Sequence, residues 1–291
     1  MKGYKGFNPG LICKDKQYQE NTVFEEPEAK ICEKGMHFCE NPFDVLDYYG
    51  LIRPDGTPNE FTEVEALDEP KTDDKKKFCS RKLKIGVKLG LSGFIKACVD
   101  FVLEKTIAEM PSENVISGDY AKIGSSGNCA QIGSSGNCAR IGSSGGSAKI
   151  GSSGGSAQIG SSGDSAKIGS SGDYAKIGSS GGYARIGSSG GYAQIGSSGY
   201  CARIGSSGDS ARINCTGEDS VICCAGHGSV VKASVGCWIT LAEWKFDDAK
   251  QRHVPVCVKT EYVDGEKIKA DTPYMLKNGE FVEAKSDGEQ I

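Results

Sequence analysis

The stretch "AKIGSSGNCAQIGSSGNCARIGSSGGSAKIGSSGGSAQIGSSGDS" at residues 121–165 repeats every nine residues and stays in step through Ile213. Isoleucine holds one phase at positions 123, 132, 141, 150, 159, 168, 177, 186, 195, 204, 213 and 222, with Val231 next. Alanine holds the position two earlier from Ala121 to Ala211, where Ser220 and Ser229 take over. A sustained short period marks a repeat architecture. Within each unit x-Ala-x-Ile alternates, placing Ala and Ile on one face of a strand and the variable residues on the other. Gly-Ser-Ser-Gly follows as a turn whose glycines are expected to supply positive φ. A single unit is too short to close a coil around a core. Two units facing each other close one, as strand, turn, strand, turn. The expectation is a mainly β chain built on a two-sheet parallel β-solenoid of nonapeptide units, 18 residues per coil, over residues 118–235, with Ala and Ile packed between the sheets.

A flexible Gly/Ser linker has no reason to keep Ile in phase; a three-sided solenoid with another coil length stays open. The likeness to calcium-binding nonapeptide rolls is architectural. Those rolls need an acid in every unit, whereas Asp119, Asp164, Asp173 and Asp209 alternate irregularly with Gly and Asn. No calcium and no cofactor is expected.

A solenoid leaves strand edges at both ends, which must be capped. Residues 1–88 read as a small α+β domain. In it "KICEKGMHFC" is a strand candidate leading into a short helix in "ENPFDVLDYYG", with Asn41 as N-cap and Pro42 in the first turn. "EFTEVEAL" and "RKLKIGVKL" alternate as strands. Residues 89–117 are expected to hold a helix over 93–109, capped by Ser92, with Phe94, Ile95, Cys98, Phe101 and Val102 as its apolar stripe, closing the near end of the solenoid. Residues 236–291 are expected to form a β-hairpin domain at the far end, with hairpins turning at Asp264-Gly265 and Asn278-Gly279.

The chain of 291 residues carries a net charge of −4, and its 41 glycines are concentrated in the repeat. Residues 118–213 hold four Lys and four Arg against four Asp, a local +4, so the remainder carries −8. A basic middle between acidic ends points to a polyanionic partner. No apolar run reaches the roughly 20 residues that span a bilayer, and the opening "MKGYKGFNPG" lacks a secretory apolar stretch. The 13 cysteines are odd in number and irregular in spacing, which reads as reduced thiols and a cytoplasmic protein with no membrane partner.

The outward positions after Ala run Lys122, Gln131, Arg140, Lys149, Gln158, Lys167, Lys176, Arg185, Gln194, Arg203 and Arg212, none of them acidic. Alternation between sheets stacks Lys149, Lys167, Arg185 and Arg203 on one face, with Arg140 and Lys176 on the other. Like charges in a row repel, so the row suggests an anionic partner, nucleic acid or acidic protein. Tyr174, Tyr183 and Tyr192, preceding Ala, are candidate stacking platforms for bases. The plainer reading is that the cations only keep the sheet soluble. Cys13, Cys32, His37 and Cys39 include zinc-ligand types but lack a C-x-x-C knuckle, and a half-buried strand explains them equally; no metal is assigned. His227 beside Cys223 and Cys224 lacks an acidic orienter. The strand–helix–strand layout near "FDVLDYY" resembles ADP-ribosyltransferase folds without their Arg, Ser and Glu signature, so no catalytic residue is assigned.

The combination of "KGFNPGLIC", "GMHFCENPFDVLDYY", "FTEVEAL", the SSG-rich array and "GCWITLAEWKF" through "VDGEKIKADTPYMLKNGEFVEA" resembles a family of uncharacterised phage and prophage proteins. The resemblance implies a phage origin and an accessory role in the cytoplasm of an infected bacterium, with no activity or site to transfer. The function expected is non-enzymatic: a rigid display surface that binds, and inhibits, a host protein or protein–nucleic acid complex. A spacer or self-associating module with recognition by the end domains is one alternative, and an ADP-ribosyltransferase-like enzyme in the N-terminal domain is the other.

Overall fold

The computed structural model describes residues 1–31, 33–105, 113–116 and 118–284. The repeat forms a β-solenoid of about seven turns. Each unit contributes one four-residue strand, from Lys122–Ser125 to Val230–Ala233, and alternate units enter opposite sheets. Pairing is parallel with zero shift, so each residue sits beside its counterpart 18 positions later, as in Lys149↔Lys167 and Ile150↔Ile168. Alternation along the strand sends Ile and the first Ser inward and the variable residue and the first Gly outward. Thus the interior holds a column of buried serines beside Ile and Ala, which the expectation of an Ala/Ile core lacked. The hydroxyls of Ser143, Ser161, Ser179 and Ser197 have no hydrogen-bond partner among the described residues.

The turns also differ from expectation. Positive φ falls not on the GSSG glycines but on the residue before Ala, from Tyr120 through Tyr174 and Tyr183 to Ser210, all at φ between 54° and 59°. Left-handed backbone in a non-glycine residue costs about 1 kcal/mol. It is held here because each such amide donates to a carbonyl of the next coil, as Ser147 N does to Asp164 O at 2.7 Å and Tyr174 N to Gly191 O at 2.8 Å. The second glycine of GSSG answers to crowding instead. A Cβ placed on any of Gly136, Gly145, Gly154, Gly163, Gly172, Gly181, Gly190, Gly199, Gly208, Gly217 or Gly226 would lie 1.9–2.2 Å from a carbonyl oxygen of the previous coil. The irregular acids have a structural task too. Asp119, Asp164, Asp173 and Asp209 each accept the backbone N–H of the residue 18 later, at 2.7–2.9 Å.

Residues 1–90 build a six-stranded sheet in the order Val23–Glu25, Lys82–Leu89, Glu60–Ala66, Lys2–Phe7, Met36–Cys39, Lys77–Ser80. Its helix α1 (Pro42–Val45) is N-capped by Asn41, whose side chain accepts the Phe43 N–H at 3.0 Å. Helix α2 (Leu91–Lys105) begins one residue before Ser92, which therefore lies in the first turn and is not its cap. Residues 106–109 of the expected helix lie outside the described residues. Nor does α2 close the end of the solenoid. It lies along the sheet of Lys122–Ser125, Arg140–Ser143, Gln158–Ser161, Lys176–Ser179 and Gln194–Ser197, hereafter the covered sheet. Its outer face joins Phe94, Cys98 and Val102 to Phe43, Leu46 and Phe61 in the N-terminal core.

At the far end the hairpins form a small C-terminal domain whose strands continue the solenoid sheets. Trp238–Asp247 pairs in parallel with Val221–Cys224, then turns back antiparallel into Arg252–Tyr262, so Asp264-Gly265 lies in a connecting loop and not at a hairpin turn. Pro273–Lys277 and Glu280–Glu283 form the expected hairpin at Asn278-Gly279 and add to the covered sheet. Among the described residues no disulfide forms and no helix is long and apolar enough to cross a membrane.

The glycines separate cleanly by test. Gly172→Ala sets a Cβ 2.0 Å from Gly154 O and should destabilise by about 3 kcal/mol or more. Gly169→Ala meets nothing within 4 Å and should be neutral or gain about 0.5 kcal/mol. Thermal melting of the two variants checks both.

Candidate binding surfaces

The two sheets carry the same repeat but face different surroundings. On the covered sheet the outward glycines form a floor that receives α2. A Cβ on Gly196 would stand 3.0 Å from Leu91, on Gly178 2.8 Å from Ile95, and on Gly142 3.3 Å from Val99. Beside that floor the variable column is consumed by α1 and the loop after it. The buried Arg140 guanidinium pairs with Asp44 and lies 3.8 Å from Asp47. Gln158 donates to Asp47 at 3.1 Å, Lys176 donates to the Leu46 carbonyl, Gln194 accepts from the Ile52 N–H at 3.4 Å, and Arg212 donates to the Pro54 carbonyl at 3.2 Å. Burial pushes the Asp44 carboxyl up, with Arg140 pulling it back down. Burial lowers the Lys176 ammonium. Arg140 and Lys176, expected in an outward ladder, are therefore the internal attachment of the N-terminal domain.

The opposite, open sheet stacks Gln131, Lys149, Lys167, Arg185 and Arg203 in register, and all four cations are exposed. Among the described residues none of the four has an ion-pair partner. Next to them Gly151, Gly169, Gly187 and Gly205 would each accept a Cβ with nothing within 4 Å. These glycines floor a groove of about 930 Å³, walled on the far side by Ser153, Ser171, Ser189 and Ser207. The cation column continues in register to Val221 and Trp238, which are 51% and 49% exposed, and Trp238 packs on Tyr262 with centroids 5.1 Å apart.

The tyrosines are divided between the two edges of the roll. Tyr174 and Tyr192 stack on one another, centroids 5.0 Å and planes 5° apart, on the edge leading into the covered sheet. Tyr183, edge-on to Tyr200 at 5.0 Å, precedes Arg185 and borders the free cations. Two of the three candidates thus stand away from the open row, with ring faces already engaged.

Other sequence candidates are scattered. Cys39 is buried, its thiol pushed up to about 12 by desolvation, and His37 is half-buried and brought down to about 4, again chiefly by burial. Cys32 lies outside the described residues, and among those described no cluster of three or more His, Cys, Asp or Glu is placed to hold a metal ion. His227 packs on His253, ring centroids 4.5 Å apart, while Cys224 points into the core with its thiol raised to about 11 by burial. The glycine floor and the covered/open asymmetry went unread in the sequence; their only signal was a strand glycine kept in every unit despite its cost.

Residues 1–97 match a family described as a domain of unknown function (DUF7666). The match runs through the N-terminal sheet and into α2, the helix seated on the solenoid. No curated protein and no solved structure matches this chain.

Removing one partner of a buried ion pair strands the other. Arg140→Gln or Asp44→Asn should each cost about 3 kcal/mol, with the double variant losing less than the sum. Arg185→Gln on the open sheet should change stability by less than about 0.5 kcal/mol. Chemical denaturation of the four variants decides it.

Proposed function

We propose that this protein is a non-enzymatic binding scaffold whose open sheet receives an acidic, amphipathic helix of a partner protein. The observation that carries the reading is internal. The same repeat, on the covered sheet, already holds a helix on its glycine floor and acidic or carbonyl acceptors on its cation column. The open sheet offers the same floor and an unbroken run of four cations, and among the described residues nothing comes within 4 Å of a Cβ on its glycines or pairs with its cations. Glycine in a strand interior costs about 0.5–1 kcal/mol relative to Ala, and among the described residues no contact requires it at Gly151, Gly169, Gly187 or Gly205. A backbone approaching from outside does.

The geometry supports a narrower choice of partner. One helical turn rises about 5.4 Å against about 4.8 Å between strands, so a helix along the groove places roughly one side chain per coil on the floor, as Leu91, Ile95 and Val99 do opposite. Acidic residues on its flank would meet Lys149, Lys167, Arg185 and Arg203. Val221 and Trp238 at the end of the row supply an apolar anchor of the kind that dominates interface energetics. Nucleic acid fits less well, because only Tyr183 and Tyr200 stand beside the free cations. On the phage resemblance, the partner is a host protein in an infected bacterium whose action the scaffold blocks.

The test uses the full chain and a synthetic helical peptide of roughly 20 residues, about 30 Å long, with small apolar residues on one face and Glu along the flank. It should bind with a salt-dependent affinity. Gly169→Leu combined with Gly187→Leu, which fills the floor without an internal clash, should weaken it at least tenfold, as should changing the four cations to Gln. Oligothymidylate serves as the control. Binding of the oligonucleotide that survives the leucines, with no peptide binding, would replace the helix reading by a nucleic-acid one.

A further inference from the structure

The N-terminal sheet encloses a second, chemically different site. Lys5 lies in the strand Lys2–Phe7 with its side chain turned into the domain, 4% exposed. Its ammonium donates to the His37 carbonyl at 2.8 Å, stands 3.5 Å from the Cys13 Sγ, and sits 5.3 Å and 5.5 Å from the ring centroids of Phe7 and Tyr18. Among the described residues no carboxylate pairs with it. Of the carboxylates lining the cavity, Glu26 holds Lys16, Glu28 holds Lys34 at 3.1 Å and Glu33 pairs with Lys30, while Asp15 is exposed.

Lys5 lines a cavity of about 700 Å³ together with Phe38, Tyr48 and Tyr49, the last donating its hydroxyl to Cys13 Sγ at 3.2 Å. That volume, an aromatic wall and one buried charge are the makings of a small-molecule site. A buried ammonium without a counter-ion is costly, and burial accordingly lowers the Lys5 amine from its ordinary value. His37, brought down to about 4, is neutral at pH 7 and adds no second cation. The buried charge to be balanced is therefore single; Lys14, Lys16, Lys34 and Lys77 stand at the more exposed rim, Lys16 and Lys34 held by Glu26 and Glu28 and Lys77 over the Tyr48 ring at 4.9 Å.

We propose that this cavity binds a small organic anion, whose acidic oxygens take the Lys5 ammonium and whose apolar or aromatic body lies against Tyr18, Tyr48, Tyr49 and Phe38. The single buried cation favours a carboxylate over a phosphate dianion. Every residue lining the cavity falls within the matched residues 1–97, so the site belongs to that domain and stands apart from the open-sheet reading.

The experiment titrates the full chain with phenylacetate, hexanoate and phenyl phosphate, each beside a neutral counterpart (phenylacetamide, hexanamide, benzyl alcohol), by calorimetry and by amide shifts in NMR. At least one anion should bind, move the amides of Lys5, Cys13 and His37, and outbind its neutral counterpart at least tenfold. Tighter binding of the carboxylates than of phenyl phosphate assigns the acid class, and the reverse order overturns that assignment. Lys5→Met, which keeps the stem and removes the charge, should lose the preference while retaining its far-ultraviolet dichroism. Equal binding of anion and neutral analogue, shifts confined to other regions, or a preference unchanged in Lys5→Met would overturn the proposal. Should Lys5→Met fail to fold, the shift map and the anion-to-neutral ratio in the unaltered chain decide alone.

Discussion

Everything in the solenoid follows from how closely one coil lies on the next at the second glycine of GSSG. There the carbonyl oxygen of the lower coil occupies the space where a side chain would begin, 1.9–2.2 Å from an ideal Cβ. That approach fixes the register at 18 residues with no slip. Once the register is fixed, every position in the unit becomes a column. Isoleucines stack on isoleucines, left-handed residues on left-handed residues, and an Asp or Asn side chain reaches the amide directly above it. The arrangement has no edge inside the roll, and its far end is finished by strands that add to both sheets.

A column structure turns a repeat into a comparison, because two chemically similar faces can be set side by side. On the covered face the variable column reads Arg140, Gln158, Lys176, Gln194, Arg212, and each residue suits a different neighbour: a carboxylate for the buried arginine, backbone carbonyls for Lys176 and Arg212, a backbone amide for Gln194. Individual partners produced an uneven column. The open column is uniform across Lys149, Lys167, Arg185 and Arg203. Adjacent like charges at strand spacing repel, and uniformity of that kind is matched by a partner that is itself uniform along its length, an acidic flank whose registry is loose and whose charge is continuous.

The coil length, the zero-shift ladder and the sorting of cations between faces were all legible from the nine-residue period, because a side-chain period of two allows one inward set. What the period cannot encode is which face is covered, since odd and even units read alike; that depends on where the chain leaves the N-terminal sheet, and hence on Leu91–Lys105. The glycines were assigned to the wrong cause for a related reason. Crowding by the coil below is a long-range contact, invisible in a local turn pattern, whereas the left-handed φ went to Tyr, Cys and Ser residues held by hydrogen bonds to the coil above. Asp264-Gly265 misled because the adjacent strand Arg252–Tyr262 had already found its partner in Trp238–Asp247. Lys5 gave no signal at all: in "KGYKGF" it reads as an ordinary polar strand residue, and only the folded sheet turns it inward.

The Lys5 cavity and the covered column are joined by a single short element. Helix α1 and the turn after it supply Asp44, Asp47 and the Leu46 carbonyl to the covered column, and the same segment supplies Val45, Tyr48 and Tyr49 to the wall of the Lys5 cavity. The contacts holding the N-terminal domain on the solenoid and the contacts shaping the cavity are therefore made from neighbouring residues of one turn. Coupling of this sort is reciprocal: any interaction that fixes α1 in the cavity wall also fixes the acceptors for Arg140 and Lys176. The solenoid, stiff along its length, gives that turn a rigid surface to be fixed against. The open sheet on its far side shares no residue with α1, which makes the small-molecule cavity and the groove separable in their chemistry though carried on one rod.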